Sequence, residues 1–194
     1  MSDPILREFP HSFETERLII RGPLPGDGKM VRTAVLESHE ELKQWLPWAV
    51  DIPNEDEYEV LVRRGHTRFL NREDLWLMVL LKDTGTIIGG SGLHRIDWDV
   101  PKFEIGYWLS TPYTGQGYMT EAVEAITNFA FEVLGARRVE IRVDSNNHKS
   151  IAIPQRLGFA LEGTLRNEAR HHLTSELRDT LIFTKIKAED VAGR

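Results

Sequence analysis

The stretch Phe103-Glu104-Ile105-Gly106-Tyr107-Trp108-Leu109-Ser110-Thr111-Pro112-Tyr113-Thr114-Gly115-Gln116-Gly117-Tyr118-Met119-Thr120-Glu121-Ala122 passes from a strand, through a glycine loop, into an amphipathic helix. That order builds an anion site. Gly115 and Gly117 carry no Cβ, so their backbone can come close to a ligand, and the free N–H groups of the helix's first turn point at the same spot. The helix, over 117–134, sets Met119, Ala122, Val123, Ile126, Phe129, Ala130 and Val133 on one stripe, with Gly135 just past its end. A lone Gly-x-Gly is weak by itself, because loops use glycine for purely conformational reasons. The chain has neither Gly-x-x-x-x-Gly-Lys-Ser/Thr nor Gly-x-Gly-x-x-Gly, so the two commonest nucleotide motifs are excluded.

Working outward, Arg17 to Arg21 reads as a short strand ended by Gly22-Pro23, and 1–13, punctuated by Pro4 and Pro10, as a peripheral arm. Apolar residues recur at helical spacing from Gly26 to Trp48 and again over 55–70. Strands 75–82 and 86–97 flank the hairpin signal Asp83-Thr84-Gly85, and 102–110 follows as the next strand. After the long helix come a strand over 138–143, a short helix over 149–157 interrupted by Pro154, and strands over 159–165 and 177–186. These patterns predict an α+β domain of three α/β/α layers on a mixed, mostly antiparallel seven-stranded sheet, spanning 14–187, with a tail over 188–194.

A length of 194 residues with 41% hydrophobic content suits one domain with a sizeable core. The formal net charge of −6 argues against a nucleic-acid groove. There are no cysteines, which removes disulfides, thiolate metal sites and a thiol nucleophile. The seven histidines show no ligand spacing, so no metal is expected. The start of the chain lacks an apolar signal region, and the longest apolar run, Leu75 to Leu81, is too short to span a bilayer. The expectation is a cytoplasmic protein with no membrane or nucleic-acid partner.

Several ordered blocks now take on a common meaning: Glu-Thr-Glu-Arg-Leu at 14–18, Trp45-Leu46-Pro47-Trp48, Glu104 to Leu109, Thr114 to Ala122, Asn147-x-x-Ser150, and Leu157-Gly158-Phe159 followed by Glu162-Gly163. Over about 14–186 the chain resembles the GNAT superfamily of acyl-CoA-dependent N-acetyltransferases, in its ribosomal-protein-alanine acetyltransferase-like (RimJ/RimL) branch. The resemblance implies the GNAT fold and transfer of acetyl from acetyl-CoA to a primary amine, without a metal. A protein or peptide N-terminus, for example of a ribosomal protein, is the implied acceptor. A small amine such as an antibiotic or polyamine, and a non-catalytic acyl-CoA-binding domain, stay open, as do monomer and homodimer.

The resemblance also assigns residues. Thr114, Gly115, Gln116, Gly117, Tyr118 and Met119 would wrap the CoA pyrophosphate, with Thr120 adding a main-chain donor. Thr114 stands where the family has Arg or Gln, and Met119 where it has Gly or Ala. The strand ending at Trp108-Leu109-Ser110 would splay from strand 138–143 to admit pantetheine, and a free N–H at Leu109 would polarise the thioester carbonyl. Asn147 would hold the pantetheine and Ser150 would donate to the departing thiolate, although both also suit the start of the short helix. Lys149, or Arg137, Arg138 and Arg142, could meet the 3′-phosphate. Glu104 is the candidate general base, because alternation puts it on the face of Trp108 and Ser110 and the family places a catalytic glutamate on this strand; the alternative is a structural carboxylate paired across the sheet. Glu168 is a second candidate acid near the acceptor. Trp45, Trp48, Trp98 and His94 could line the acceptor pocket, with core packing as the alternative for each tryptophan.

Overall fold

The computed structural model describes residues 3–187. The tail expected over 188–194 lies outside the described residues. The central strand β3 (Leu75–Leu81) shows how the layers arise. Its odd residues Leu75, Leu77 and Val79 join one buried cluster, while Trp76, Met78 and Leu80 join another on the opposite face. A strand apolar on both sides belongs in a sheet covered twice.

Around it the sheet runs β1 (Ser12–Glu14), β2 (Leu18–Arg21), β3, β4 (Ile87–Asp97), β5 (Lys102–Leu109), β6 (Arg138–Asp144), then β8 (Leu177–Ile186) inside β7 (Ala160–Arg170). All pairings are antiparallel except β5 with β6. Helices α1 (Gly28–Leu36) and α3 (Glu55–Leu70) cover one face; α4 (Tyr118–Glu132) and α5 (His148–Arg156) cover the other. Among the described residues, no helix is long and apolar enough to cross a membrane.

The sheet has eight strands rather than the seven expected. The extra one is β1, which begins inside the segment read as a peripheral arm. Three residues are too few to show alternation, but Phe13 stacks on Phe129 at 4.6 Å and Phe9 meets Phe69 and Phe129 edge-on at 6.1 and 5.9 Å. This segment therefore closes the core. The helical stretch expected from Gly26 to Trp48 breaks at Ser38 into α1 and the short α2 (His39–Leu42). The buried Ser38 hydroxyl accepts the Thr111 N–H at 2.6 Å, tying that break to the end of β5.

β5 and β6 are partners only at Lys102↔Arg138, Phe103↔Val139 and Glu104↔Glu140. Beyond Glu104 they part, and β6 continues along β8 alone. A V opens in the middle of the sheet, between the elements that carry the candidate residues.

Candidate active site

One arm of the V ends in the glycine loop. Gly115 and Gly117 adopt φ of 75° and 83°, left-handed values that favour glycine, and Gly117 is the N-cap of α4. The first intrahelical bond runs from Glu121 N–H to the Gly117 carbonyl at 3.0 Å, so the N–H groups ahead of it face outward from the helix start. A Cβ built on Gly115 meets nothing within 4 Å, and one on Gly117 meets only Arg17 Nη2 at 3.4 Å. The residues present thus fit a diphosphate bound by main-chain donors.

The loop is clamped from beneath. Glu121 accepts from the Thr15 hydroxyl at 2.5 Å, the Arg17 N–H at 3.0 Å and Arg17 Nε at 2.6 Å. Burial pulls the Glu121 carboxyl upward, but Thr15 and Arg17 overcome it and hold it below its ordinary value. Arg17 also donates to the Gln116 carbonyl at 3.0 Å and lies 4.4 Å above the Tyr118 ring. The Glu-Thr-Glu-Arg-Leu block at 14–18 is therefore the loop's foundation. Thr114 and Gln116 spend their side chains on Thr111 and Pro112 carbonyls at 2.9 and 3.0 Å, and Met119 is buried in the core.

Across the V stands α5. Asn147 is its N-cap, accepting the Ser150 N–H at 3.1 Å. Pro154 lies inside this helix and has no N–H to give the Ser150 carbonyl one turn back. Tyr107 supplies the missing donor: its hydroxyl reaches the Ser150 carbonyl at 2.8 Å, bridging β5 to α5. Burial pushes the Tyr107 phenol up to about 12, so it remains a donor. At the end of β5, Ser110 N–H donates to the Ile88 carbonyl at 2.8 Å, and the alternation of an antiparallel ladder turns the neighbouring Leu109 N–H the other way, towards the V.

The sheet face under α1 and α3 carries the charged groups. Glu104 lies where the β5–β6 pairing ends, its side chain 18% exposed and its Oε2 buried without a hydrogen-bond partner among the described residues. Burial raises its pKa, opposed by Arg95 and Arg142. Arg95 approaches Glu104 Oε2 at 3.4 Å from a bulge in β4, where its own φ is 46°. Arg142 pairs with Glu168, and a hydrogen bond from Thr180, with Arg142 adding to it, holds the Glu168 carboxyl down. His94, opposite Glu104 in the ladder, donates Nδ1–H to Asp74 at 2.9 Å. Trp48 meets Trp108 edge-on at 6.0 Å beside these groups, and Arg178 lies 6.0 Å from the Trp45 ring.

Residues 17–160 match the acetyltransferase (GNAT) domain. The chain belongs to the GNAT acetyltransferase family. It is 28% identical over 179 residues to Bacillus subtilis (strain 168) YdaF, which carries the name of a ribosomal N-acetyltransferase, covering 90% of this chain and 93% of YdaF. Two solved structures establish the fold: RimL, a ribosomal L7/L12 alpha-N-protein acetyltransferase solved with coenzyme A, at TM-score 0.81 and 21% identity over 89% of this chain and 95% of its own; and the microcin C7 self-immunity acetyltransferase MccE, solved with acetyl-CoA and AMP, at 0.82 and 21% over 92% and 98%.

For this GNAT acetyltransferase, one site expectation needs correction. Period-two reading places Trp98 with His94, but the bulge at Arg95 inserts a residue and turns the later residues of β4 over. Trp98 lies on the α4 side, edge-on to Phe103 at 5.3 Å, with its indole N–H on the Arg72 carbonyl. The Ser110 hydroxyl donates to Glu37 at 3.1 Å in the buried α1–α2 break, so only its backbone bears on the V. Lys149 is exposed at the start of α5.

Other parts of the site escape a reading of the sequence. A Cβ on Gly90 would lie 2.6 Å from the Trp108 indole nitrogen, and one on Gly92 would lie 2.8 Å from the His94 ring. The run Gly89-Gly90-Ser91-Gly92 clears space for both rings, and three glycines within one strand were the available signal. Asp74, Arg95 and the Tyr107–Ser150 bridge carry no such signal.

Proposed function

We propose that the protein transfers acetyl from acetyl-CoA directly to a primary amine, the α-amine of a protein or peptide N-terminus. One observation carries this reading: the same strand, β5, ends its pairing with β6 at Glu104 and opens on that side from there to Leu109, beside the glycine loop. The loop would take the diphosphate on its N–H groups, and the open edge of β5 would hold pantetheine as an added strand. The Leu109 N–H would donate to the thioester carbonyl oxygen as charge builds there, a term on the order of 3 kcal/mol for one well-placed donor. Asn147 and Ser150 stand at the start of α5 on the far side of the gap, where the serine hydroxyl could donate to the departing sulfur.

The acceptor must lose a proton. An α-amine, with pKa about 8, is partly neutral at pH 7, whereas a lysine amine at about 10.4 is almost wholly charged. Glu104, buried and short of hydrogen bonds, is the base best placed to take that proton through water. A polyamine is a poorer match. The carboxylates of β5 to β7 on this face already face arginines: Glu104 with Arg95, Glu140 with Arg138, and Glu168 with Arg142. Among the described residues, these three offer no row of unpaired anions to a second and third ammonium.

The test is turnover of purified protein with acetyl-CoA against N-terminal peptides of ribosomal proteins, spermidine and aminoglycosides, followed by thiol release and by the mass of the acceptor. Acetylation of a peptide α-amine supports the reading. Preference for a polyamine or antibiotic overturns the acceptor class, and CoA binding without turnover of any amine favours a binding domain.

A further inference from the structure

His94 and Glu104 face one another across the β4–β5 ladder and so share one face of the sheet. His94 is not filling core space, since its side chain is 32% exposed. Its Nδ1 is committed. The partner is the Asp74 carboxylate, an acceptor only, so Nδ1 carries the proton and Nε2 presents a lone pair. Nε2 has no hydrogen-bond partner among the described residues, and it lies over Gly92 and Gly106, 2.8 and 3.7 Å from where their Cβ atoms would be. A side chain at Gly92 would collide with the ring, whereas one at Gly106 would only touch it.

We propose that His94, oriented by Asp74, is a positioning residue that shares with Glu104 the proton released by the acceptor amine. This rests on the transferase reading above. In the transfer, the amine nitrogen bonds to the acetyl carbon and the carbon–sulfur electron pair leaves on sulfur. The nitrogen's proton passes to the Glu104 carboxylate and, through water, to the His94 Nε2 lone pair. The imidazolium that results is balanced by Asp74, and the proton then returns to solvent, from which the thiolate is reprotonated. The glutamate is thereby ionised again for the next acceptor.

The charges facing this pair come from every neighbouring element. Arg68 of α3 lies 3.6 Å from Asp74 Oδ2, the same oxygen that takes the His94 Nδ1–H, and Arg95 of β4 stands 3.4 Å from Glu104. From β6, Glu140 and Arg142 act on Glu104 in opposite senses; Glu168 of β7 is held by Arg142.

Ring-nitrogen NMR of the full chain tests the coupling without turnover, with the His94 signals assigned by their loss in His94→Gln. The neutral ring should be the Nδ1–H tautomer, and Glu104→Gln should move the His94 titration midpoint down, because an adjacent anion is lost. Asp74→Asn should lower it too and mix the tautomers. In turnover, His94→Gln should lower kcat on the order of a hundredfold and remove the acid limb that His94 sets in the kcat/KM profile, with the KM for acetyl-CoA within about twofold. Asp74→Asn should shift that limb to lower pH while keeping a melting temperature that shows an intact fold. An unchanged His94 midpoint in Glu104→Gln, or a wild-type kcat and pH profile in His94→Gln, overturns the proposal. If the wild-type protein turns over no amine, the transferase reading fails by itself, and the NMR coupling still decides whether the two groups share a proton.

Discussion

The glycine loop and the charged face of β4 and β5 lie on either side of one gap, yet they are made in opposite ways. The loop presents backbone, its donors fixed by two left-handed glycines and a helix start within a few consecutive residues. The charged face presents side chains, gathered from α3, β4, β5, β6 and β7 and from Asp74 just ahead of β3. A backbone site tolerates changes of side chain but not of conformation. A side-chain site behaves the other way, and substitutions should separate the two.

The largest effect is expected on the charged face. Glu104→Gln keeps shape and removes the proposed base, so kcat should fall by on the order of a hundredfold or more while CoA affinity holds, measured by steady-state kinetics and calorimetry. The same substitution should raise stability. Burial lifts the folded-state pKa of Glu104 above its ordinary 4.5, so folding binds the proton and disfavours the carboxylate. That penalty is present above the raised pKa and absent once pH falls below the ordinary value, where Glu104 is neutral in both states. Glu104→Gln should therefore melt higher than wild type at pH 7, with the difference closing towards pH 4. Equal melting at both pH values would show that Glu104 is not strained by burial, and unchanged turnover would remove it as the base.

On the loop, Gly117→Val forces a β-branched residue into φ of 83° at the N-cap of α4. Such strain costs on the order of 1–3 kcal/mol, and relief of it would turn the donors away. CoA affinity should fall about tenfold or more, each tenfold being about 1.4 kcal/mol. Turnover at saturating acetyl-CoA should change much less. The pattern is the reverse of that for Glu104→Gln, and a fall in kcat with unaltered affinity would contradict a backbone-built loop.

This division also explains what could be read from the chain. The strand, glycine loop and helix from Phe103 to Ala122 are local, and their order, periodicity and left-handed glycines follow from neighbours in sequence. The layered sheet was legible for the same reason, through the alternation of strand and helix patterns along the chain. What failed to show depends on pairing across the chain. The bulge at Arg95 turns Trp98 over, and nothing in the spacing of residues 94–98 announces it. Asp74 reaches His94 only because the β3–β4 hairpin places them side by side. Glu121 looks like an ordinary first-turn acid until Thr15 and Arg17 are seen to converge on it.

Tyr107→Phe tests a link between the two regions. Without the hydroxyl, the Ser150 carbonyl loses its donor in a helix where Pro154 cannot replace it. An orphaned carbonyl of this kind costs about 1–3 kcal/mol when buried. Loss of stability should come with a looser α5 and a higher KM for acetyl-CoA, because Asn147 and Ser150 are placed by that helix. Denaturant unfolding and steady-state kinetics would read both. A full-strength helix in the variant, with wild-type KM, would mean that the gap is held open by the sheet alone.

The smallest effect should come from Thr114→Ala, and its smallness is the sharpest statement about the loop. Thr114 occupies the position where the family carries Arg or Gln, so a side-chain-built phosphate site would lose a primary contact there. In this protein its hydroxyl is turned inward to the Thr111 carbonyl at 2.9 Å and the residue is exposed. Removing one exposed hydrogen bond costs about 0.5 kcal/mol at most here, equivalent to about twofold in affinity. The main-chain donors from Gly115 to Thr120 survive the change, since none depends on the Thr114 side chain. Calorimetry with CoA should thus find Thr114→Ala within about twofold of wild type, well short of Gly117→Val. A loss comparable to that of Gly117→Val would mean that Thr114 turns outward to the phosphates on binding, and the loop would then belong with the charged face as a site made by side chains.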